Sequence, residues 1–361
     1  MILNHFKKFD LPILFSSLTL TIFGLVSLYS SSYGKGDFFN FQKQIIFFAI
    51  GLVLMVGISY LDWRIIRQDP FLVLFLYSVC LVGLLGLFVF APEIRGTRSW
   101  YKIGGISIDP IEFMKIILII LLAKYFAFRH VEMYRIRHIF ISGLYVLIPV
   151  ILVLLQPDLG SAIILVLIWL GIMMISGIKV RHLLFLGLIF LILFVIGWNG
   201  FLKDYQKERI LGLFNPQMDP TGVSWSQNQA KIAVGSGGII GKGILQGSQT
   251  QYSFLPEPHT DFIFAAIAEE TGMLGVIILL SAYGYLIWRI IKLAIYSKTN
   301  FARIFSTGFA IFLMVQSFIN IGMNVGLLPI IGLPLPFVSY GGSSLISVFL
   351  GIGILQSIKT H

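Results

Sequence analysis

Residues 71–91 read Phe71-Leu-Val-Leu-Phe-Leu-Tyr-Ser-Val-Cys-Leu-Val-Gly-Leu-Leu-Gly-Leu-Phe-Val-Phe-Ala91, without one charged side chain. A helix of ~20 apolar residues crosses a ~30 Å hydrocarbon core, so this stretch predicts a membrane span. Similar runs recur at roughly 11–30, 43–61, 109–128, 138–155, 159–177, 182–198, 261–288, 302–323 and 339–357, making ten spans. Composition agrees: of 361 residues 57% are apolar, 26 are Lys or Arg, 16 are Asp or Glu, and mean hydropathy is +0.91. Soluble domains carry about 25% charged residues, twice the share here. The chain therefore reads as an all-α polytopic membrane protein with ten transmembrane helices.

A formal charge of +10 would suggest nucleic acid in a soluble protein. Here the positives orient the spans, and no nucleic acid is expected. With a cytoplasmic N-terminus, fourteen Lys and Arg fall on inner segments and five on short outer ones, namely Lys35, Lys43, Arg95, Arg98 and Lys102. That bias puts both termini in the cytoplasm. The first run, Leu11 to Leu28, follows Lys7 and Lys8 and lacks a small-residue cleavage pattern, so it reads as a retained span rather than a signal peptide. Cys80 is the single cysteine, which leaves no intramolecular disulfide and no cysteine metal site. No repeat or break marks a second domain. Residues 1–361 form one membrane domain, with one long extracytoplasmic loop, 199–260, between the seventh and eighth helices. Connections longer than ~15 residues are usually functional.

Polar groups that membrane energetics would not choose are the functional candidates. Glu112 and Lys115 lie three apart in the fourth span, on one helix face. They read equally as a buried structural pair and as a functional one. Arg95, Arg98 and Lys102 sit beside Trp100 on the disfavoured outer side, where they would either anchor at headgroups or meet an anionic ligand such as a lipid phosphate. Gln156-Pro157-Asp158-Leu-Gly160 places an acid at a helix start, where Asp158 can cap. In the long loop, Lys231 precedes Gly235-Ser-Gly-Gly238, Gly241-Lys242-Gly243 and Gly247-Ser-Gln-Thr-Gln251. Glycines permit convergent backbone N–H groups, so the run reads as an anion-binding concavity or as a flexible loop. The segment closes with Phe254-Leu-Pro-Glu257-Pro-His259-Thr260-Asp261-Phe-Ile-Phe264, followed by Glu269 and Glu270. Thr260 is expected to cap the eighth helix and Asp261 to lie in its first turn, where its carboxylate could accept a sugar hydroxyl proton, with Glu257 and His259 beside it.

These strings, with Gly96-Thr-Arg-Ser-Trp100 and the closing Pro334-Leu-Pro-Phe-Val-Ser-Tyr-Gly-Gly-Ser343, resemble the SEDS family of RodA, FtsW and SpoVE, in matching order over nearly the whole chain. Gly247-Ser-Gln-Thr-Gln251 is most similar to the elongation-type branch, RodA. The resemblance implies a peptidoglycan glycosyltransferase of the bacterial cytoplasmic membrane, its active site facing outward. It would polymerise lipid II onto an undecaprenyl-pyrophosphate-linked glycan, working with a class B penicillin-binding protein in the elongation machinery. It also implies that Asp261 is the catalytic residue, that Arg98 and Trp100 belong to a sensitive loop, and that Glu112 and Lys115 match the family's polar pair. Pro258 departs from the family pattern, which often has Arg or Ala there.

The expected chemistry is inverting transfer, with Asp261 as general base and undecaprenyl pyrophosphate as leaving group. Arg95, Arg98, Lys231 and Lys242 would meet the diphosphate, and a divalent cation, Mg or Mn, could bridge its phosphates. Two rivals come from other classes: a flippase for lipid-linked precursors, suited by Glu112, Lys115 and the Gly and Pro breaks at Gly326 to Pro336, and a non-catalytic scaffold of the cell-wall machinery. The lack of an inverted repeat and the one-sided clustering of polar groups argue against the flippase.

Overall fold

The computed structural model describes residues 8–93, 97–129, 136–200, 204–214 and 223–361. Helix α1 (Leu11–Lys35) starts where the Asp10 carboxylate accepts from Ile13 N, and ends where Gly36 takes φ 67°. Then come α2 (Phe39–Tyr60), the short α3 (Arg64–Gln68), and α4 (Pro70–Phe90), whose first turn Asp69 caps by accepting from Phe71 N at 2.8 Å. A two-stranded hairpin, β1 (Tyr101–Ile103) and β2 (Ile106–Ile108), turns through Gly104 and Gly105. It is the one departure from all-α among the described residues. Helices α5 (Pro110–Arg129), α6 (Ile136–Leu155), α7 (Leu159–Ile175) and α8 (Val180–Gly200) follow, and Asp158 caps α7 as expected, accepting from Ser161 N at 3.0 Å.

The long segment is not a plain loop. It contains α9 (Asp204–Phe214), α10 (Val223–Ser236) and the single turn α11 (Ser248–Gln251), and α10 packs against the bundle through Ala230 and Ala233. The chain closes with α12 (Ile263–Tyr296), α13 (Asn300–Asn324) and α14 (Gly342–Thr360). Ten helices thus stand where spans were predicted, and eight are long and apolar enough to cross a membrane. The other two are α7, apolar but 17 residues long, and α5, which carries Glu112, Lys115 and Lys124.

Polarity runs opposite to that of a soluble core. Phe71, Val89 and Phe140 are exposed on the outside, whereas Ser30, Gln316, Asn320 and Asn324 are buried. Lipid makes the apolar exterior favourable, and interior polar groups must find partners inside. Helix α13 sits centrally, against α5, α7 and α12. One stripe of it changes chemistry midway: Phe301, Phe305 and Phe309 stack in one half, Trp63 stacking on Phe301, and Gln316, Asn320 and Asn324 occupy the other half at i, i+4 spacing.

Helix α12 is broken at Gly272, which takes φ 64° and ψ −164°. The break frees the carbonyls of Glu269 and Glu270 and the N–H groups of Met273 and Leu274. The glycine turn supplies all four partners: Lys242 N and Gly243 N donate to Glu269 O and Glu270 O at 3.0 Å each, and Met273 N and Leu274 N donate to Gly238 O and Ile239 O at 2.9 and 3.1 Å. The run expected as an anion-binding concavity or a flexible loop is therefore a backbone insert, its N–H groups consumed by the broken helix, since buried backbone groups in a membrane cannot go unpaired. A Cβ on Gly241 would stand 2.2 Å from Glu270 O, so only glycine fits there.

Candidate active site

The turn carrying Asp261 precedes α12 rather than opening it. Phe262 occupies the N-cap position, and its own side chain makes no capping bond. The expectation that Thr260 caps and Asp261 lies in the first turn is corrected here: Pro256 and Pro258 delay the helix, and the turn finds its partners elsewhere in the fold. Three consecutive carbonyls are held from the far end of the chain. Tyr340 N donates to His259 O at 2.8 Å, Ser339 Oγ donates to Thr260 O at 2.6 Å, and Asn324 and Asn320 donate through Nδ2 to Asp261 O at 2.9 and 3.2 Å. Asn324 Oδ1 also accepts from Ala265 N at 3.1 Å, satisfying a first-turn N–H of α12 that lacks a helical partner.

The closing motif 334–343 is fixed in turn. Gln316 Nε2 donates to Pro334 O at 2.8 Å, Asn320 Nδ2 to Leu333 O at 2.7 Å, Tyr283 OH to Pro336 O, and Gln44 Nε2 to Ser339 O at 3.2 Å. Gln316 Oε1 accepts from Lys115 Nζ at 3.0 Å, and Lys115 is paired with Glu112 at 2.6 Å, both side chains buried. The polar pair of the fourth span is thus a structural anchor whose ammonium reaches, through Gln316, the segment that holds the Asp261 turn. Charged groups withdrawn from water need such partners, and here they fall on Glu112 Oε1 and Lys115 Nζ.

With its backbone fixed, the Asp261 side chain lines a cavity of about 420 Å³, which also takes Glu257, Lys35, Arg209, Ser226 and Ser253. Leu255, Pro256, Phe262 and Ile330 supply its apolar wall. Gly332, at φ 70°, borders the carboxylate, and a Cβ there would make an ordinary 3.7 Å contact with Asp261 Oδ2. The arrangement offers one carboxylate on a rigid turn, a second on Glu257, and two cations from other elements. Such a cavity can remove a hydroxyl proton and hold an anion at once.

The other described sequence candidates are not among the residues lining the cavity. His259 is buried, and its Nδ1 shares a 2.7 Å hydrogen bond with Ser31 Oγ; burial, followed by the nearby Lys35 charge, pushes its pKa down to about 4. It is neutral near pH 7 and serves the packing of the turn on α1. Lys242 is bound by Glu269 at 2.8 Å and by Ser248 at 2.8 Å, and Glu269 also accepts from Gln249 N and Thr250 N, capping α11. Glu270 accepts from Ser30 Oγ and Gln251 Nε2. These two acids form a buried polar cluster. Lys231 lies across Gly326, where a Cβ would meet its Cε at 1.9 Å. Arg98 pairs with Glu93 at 3.3 Å, and Trp100 is half-buried at the start of the hairpin. Arg95 lies outside the described residues. Among the described residues, no three His, Cys, Asp or Glu side chains converge into a metal ligand set.

Sequence reading missed Lys35 and Arg209, counted only as loop charges, and missed Asn320 and Asn324. The asparagines had a legible signal, two carboxamides four apart within an apolar span. Nothing local marked the cations.

Comparisons with known proteins bear on what this cavity does. The family model described as cell cycle protein, which groups FtsW, RodA and SpoVE, matches residues 11–361. The peptidoglycan glycosyltransferase MrdB of Escherichia coli (strain K12) is 38% identical over 354 residues, 98% of this chain and 94% of that protein. Stage V sporulation protein E of Bacillus subtilis (strain 168) is 33% identical over 371 residues, 98% and 97% of the two chains. Among solved structures, a chain of a peptidoglycan synthase complex that coordinates polymerization and crosslinking superposes with a TM-score of 0.81 at 32% identity, covering 97% of each chain. The crystal structure of the rod shape determining protein RodA of Thermus thermophilus gives 0.73 at 29% identity, covering 97% of this chain and 96% of that one.

Proposed function

The chain belongs to the FtsW, RodA and SpoVE family of cell cycle proteins, and from that premise we propose that it is a peptidoglycan glycosyltransferase using Asp261 as its catalytic base. The observation that carries the assignment is the Asp261 carboxylate lining a cavity of about 420 Å³ while its own backbone carbonyl is clamped by Asn320 and Asn324. A base on a rigid turn keeps a fixed distance to a bound hydroxyl, and positioned bases contribute roughly 10² to 10⁴ in rate.

In the proposed reaction, Asp261 takes the proton from the 4-hydroxyl of the N-acetylglucosamine of an incoming lipid II. That oxygen forms a bond to the anomeric carbon of the growing glycan as the bond to undecaprenyl pyrophosphate breaks, with inversion, and the electron pair leaves on the diphosphate. A divalent cation carried on the phosphates would add positive charge; the chain's own contribution is the base and the cationic side chains. The molecule is a multi-pass membrane protein. The proposed topology has ten crossings, both termini in the cytoplasm and the cavity on the outer face, supported by the charge bias of fourteen inner to five short-loop outer positives. A class B penicillin-binding protein is the proposed partner, supported by the likeness to a peptidoglycan synthase complex.

The test is polymerisation of labelled lipid II by the purified protein in detergent, with and without that partner. Glycan ladders that vanish in Asp261→Asn are expected. Ladders of undiminished length and rate in that variant would remove the assignment.

A further inference from the structure

The leaving diphosphate needs positive charge inside the same cavity as the base, because the attacking oxygen and the leaving oxygen flank one carbon atom. Of the cations singled out from the sequence, Arg98, Lys231 and Lys242 are not among the residues lining that cavity, and Arg95 lies outside the described residues. They are located elsewhere, Lys242 beside Glu269, Arg98 beside Glu93 and Lys231 over Gly326. Among the described residues, the cations lining the cavity with Asp261 are Lys35 and Arg209.

Local structure explains their placement. Lys35 is the last residue of α1, and Gly36, with φ 67°, turns the chain away immediately after it. Arg209 sits within α9 of the long outer segment, which the sequence presents only as polar loop. The two therefore converge on the Asp261 turn from distant parts of the chain. Without them the cavity would present only the carboxylates of Asp261 and Glu257, and a diphosphate would be repelled. Chemically they suit the ligand: an ammonium offers a compact charge with three donors, and a guanidinium grips phosphate oxygens in pairs. Lys35 already projects its field into this region, where it helps keep His259 unprotonated.

We infer that Lys35 and Arg209 form the diphosphate-binding side of the Asp261 cavity and hold the prenyl diphosphate of the lipid-linked donor. The inference rests on the glycosyltransferase reading and names the part of that site which meets the leaving group. A different role exists for Lys35, since a cation in the last turn complements the α1 dipole, but that role would be blind to diphosphate.

The experiment uses the full chain carrying Asp261→Asn, purified in detergent and equilibrated by dialysis with radiolabelled farnesyl diphosphate or farnesyl monophosphate. Binding of the diphosphate in preference to the monophosphate is expected. Adding Lys35→Gln or Arg209→Gln should weaken diphosphate binding roughly ten-fold each, while Lys35→Arg should retain it. On the Asp261 background, Lys35→Gln should raise KM for the lipid-linked donor by a similar factor, with an unchanged thermal midpoint. Diphosphate binding that is absent in the parent, or equal in the parent and both charge variants, overturns the inference. Failure of the underlying reading looks different: Asp261→Asn would polymerise lipid II normally, whatever dialysis shows. A dead Asp261→Asn with charge-insensitive binding removes the diphosphate site alone.

Discussion

Asn324 donates from Nδ2 to the backbone carbonyl of Asp261 at 2.9 Å, so a residue near the end of one helix fixes the peptide that carries the proposed base. The same carboxamide accepts from Ala265 N and so joins the turn to the first residues of α12. The backbone is held from behind while the residue lines the cavity. Positioning is thereby separated from chemistry.

That separation predicts the kinetics of Asn324→Leu. Asp261 O would keep only the longer bond from Asn320 and Ala265 N would lose its acceptor; an unsatisfied buried donor costs about 1–3 kcal/mol, and part of that loss should appear as a mobile Asp261 turn. The expected result is a kcat lowered roughly ten- to a hundred-fold with KM for lipid II little changed. Steady-state polymerisation assays measure the split, and a rise in KM alone would contradict the positioning role.

The spliced helix makes a stability prediction. Gly241→Ala forces a Cβ to within 2.2 Å of Glu270 O at a residue with φ 86°, so the turn must leave the break in α12. Four backbone hydrogen bonds then lose their geometry. A fall of several degrees in the thermal midpoint in detergent is expected, of the order that a loss of a few kcal/mol produces in a chain of this size. Gly235→Ala, whose Cβ would meet nothing within 4 Å, is the matched control and should be close to neutral.

The buried pair predicts asymmetric rescue. Removing one partner, as in Glu112→Lys, leaves two uncompensated buried cations and should cost about 3–5 kcal/mol, with activity lost. Exchanging both, Glu112→Lys with Lys115→Glu, restores charge balance but moves the ammonium away from Gln316 Oε1, which now accepts from it at 3.0 Å. Activity should therefore return in part, and the polymerisation assay will show whether it does. No return at all would rule out a simple ion-pair account.

His259 predicts a pH window. Its pKa of about 4 in the fold lies below its ordinary 6.5, so the unfolded chain binds the proton more readily between those values. Stability from this residue is complete above pH 6.5 and declines as pH falls toward 4, by at most about 3 kcal/mol. Thermal midpoints of the parent and His259→Gln, followed from pH 7.5 to 4.5, should converge as the pH drops.

The class of structure is legible in the residues alone. Runs such as Phe71 to Ala91 can satisfy their backbone in lipid only as helices, whatever surrounds them, so the positions of the long apolar helices were readable without tertiary knowledge, whereas α9, α10 and α11 inside the polar segment were not. The caps at Asp158 and the Glu112–Lys115 pair were readable for a related reason, because three- and four-residue spacings fix who meets whom within one helix. Asp261 stood out as a carboxylate at the end of a polar segment next to a span. Tertiary structure alone decided which side chains share its cavity. Lys35, Arg209 and Asp261 are separated by more than fifty residues of chain each, and no periodicity encodes such a meeting. It also decided the fate of the glycine run, because the break at Gly272 draws on donors and acceptors some thirty residues earlier. Long-range partnerships of this kind are set by which buried polar groups remain unpaired after the helices have formed, a property of the assembled bundle rather than of any local stretch.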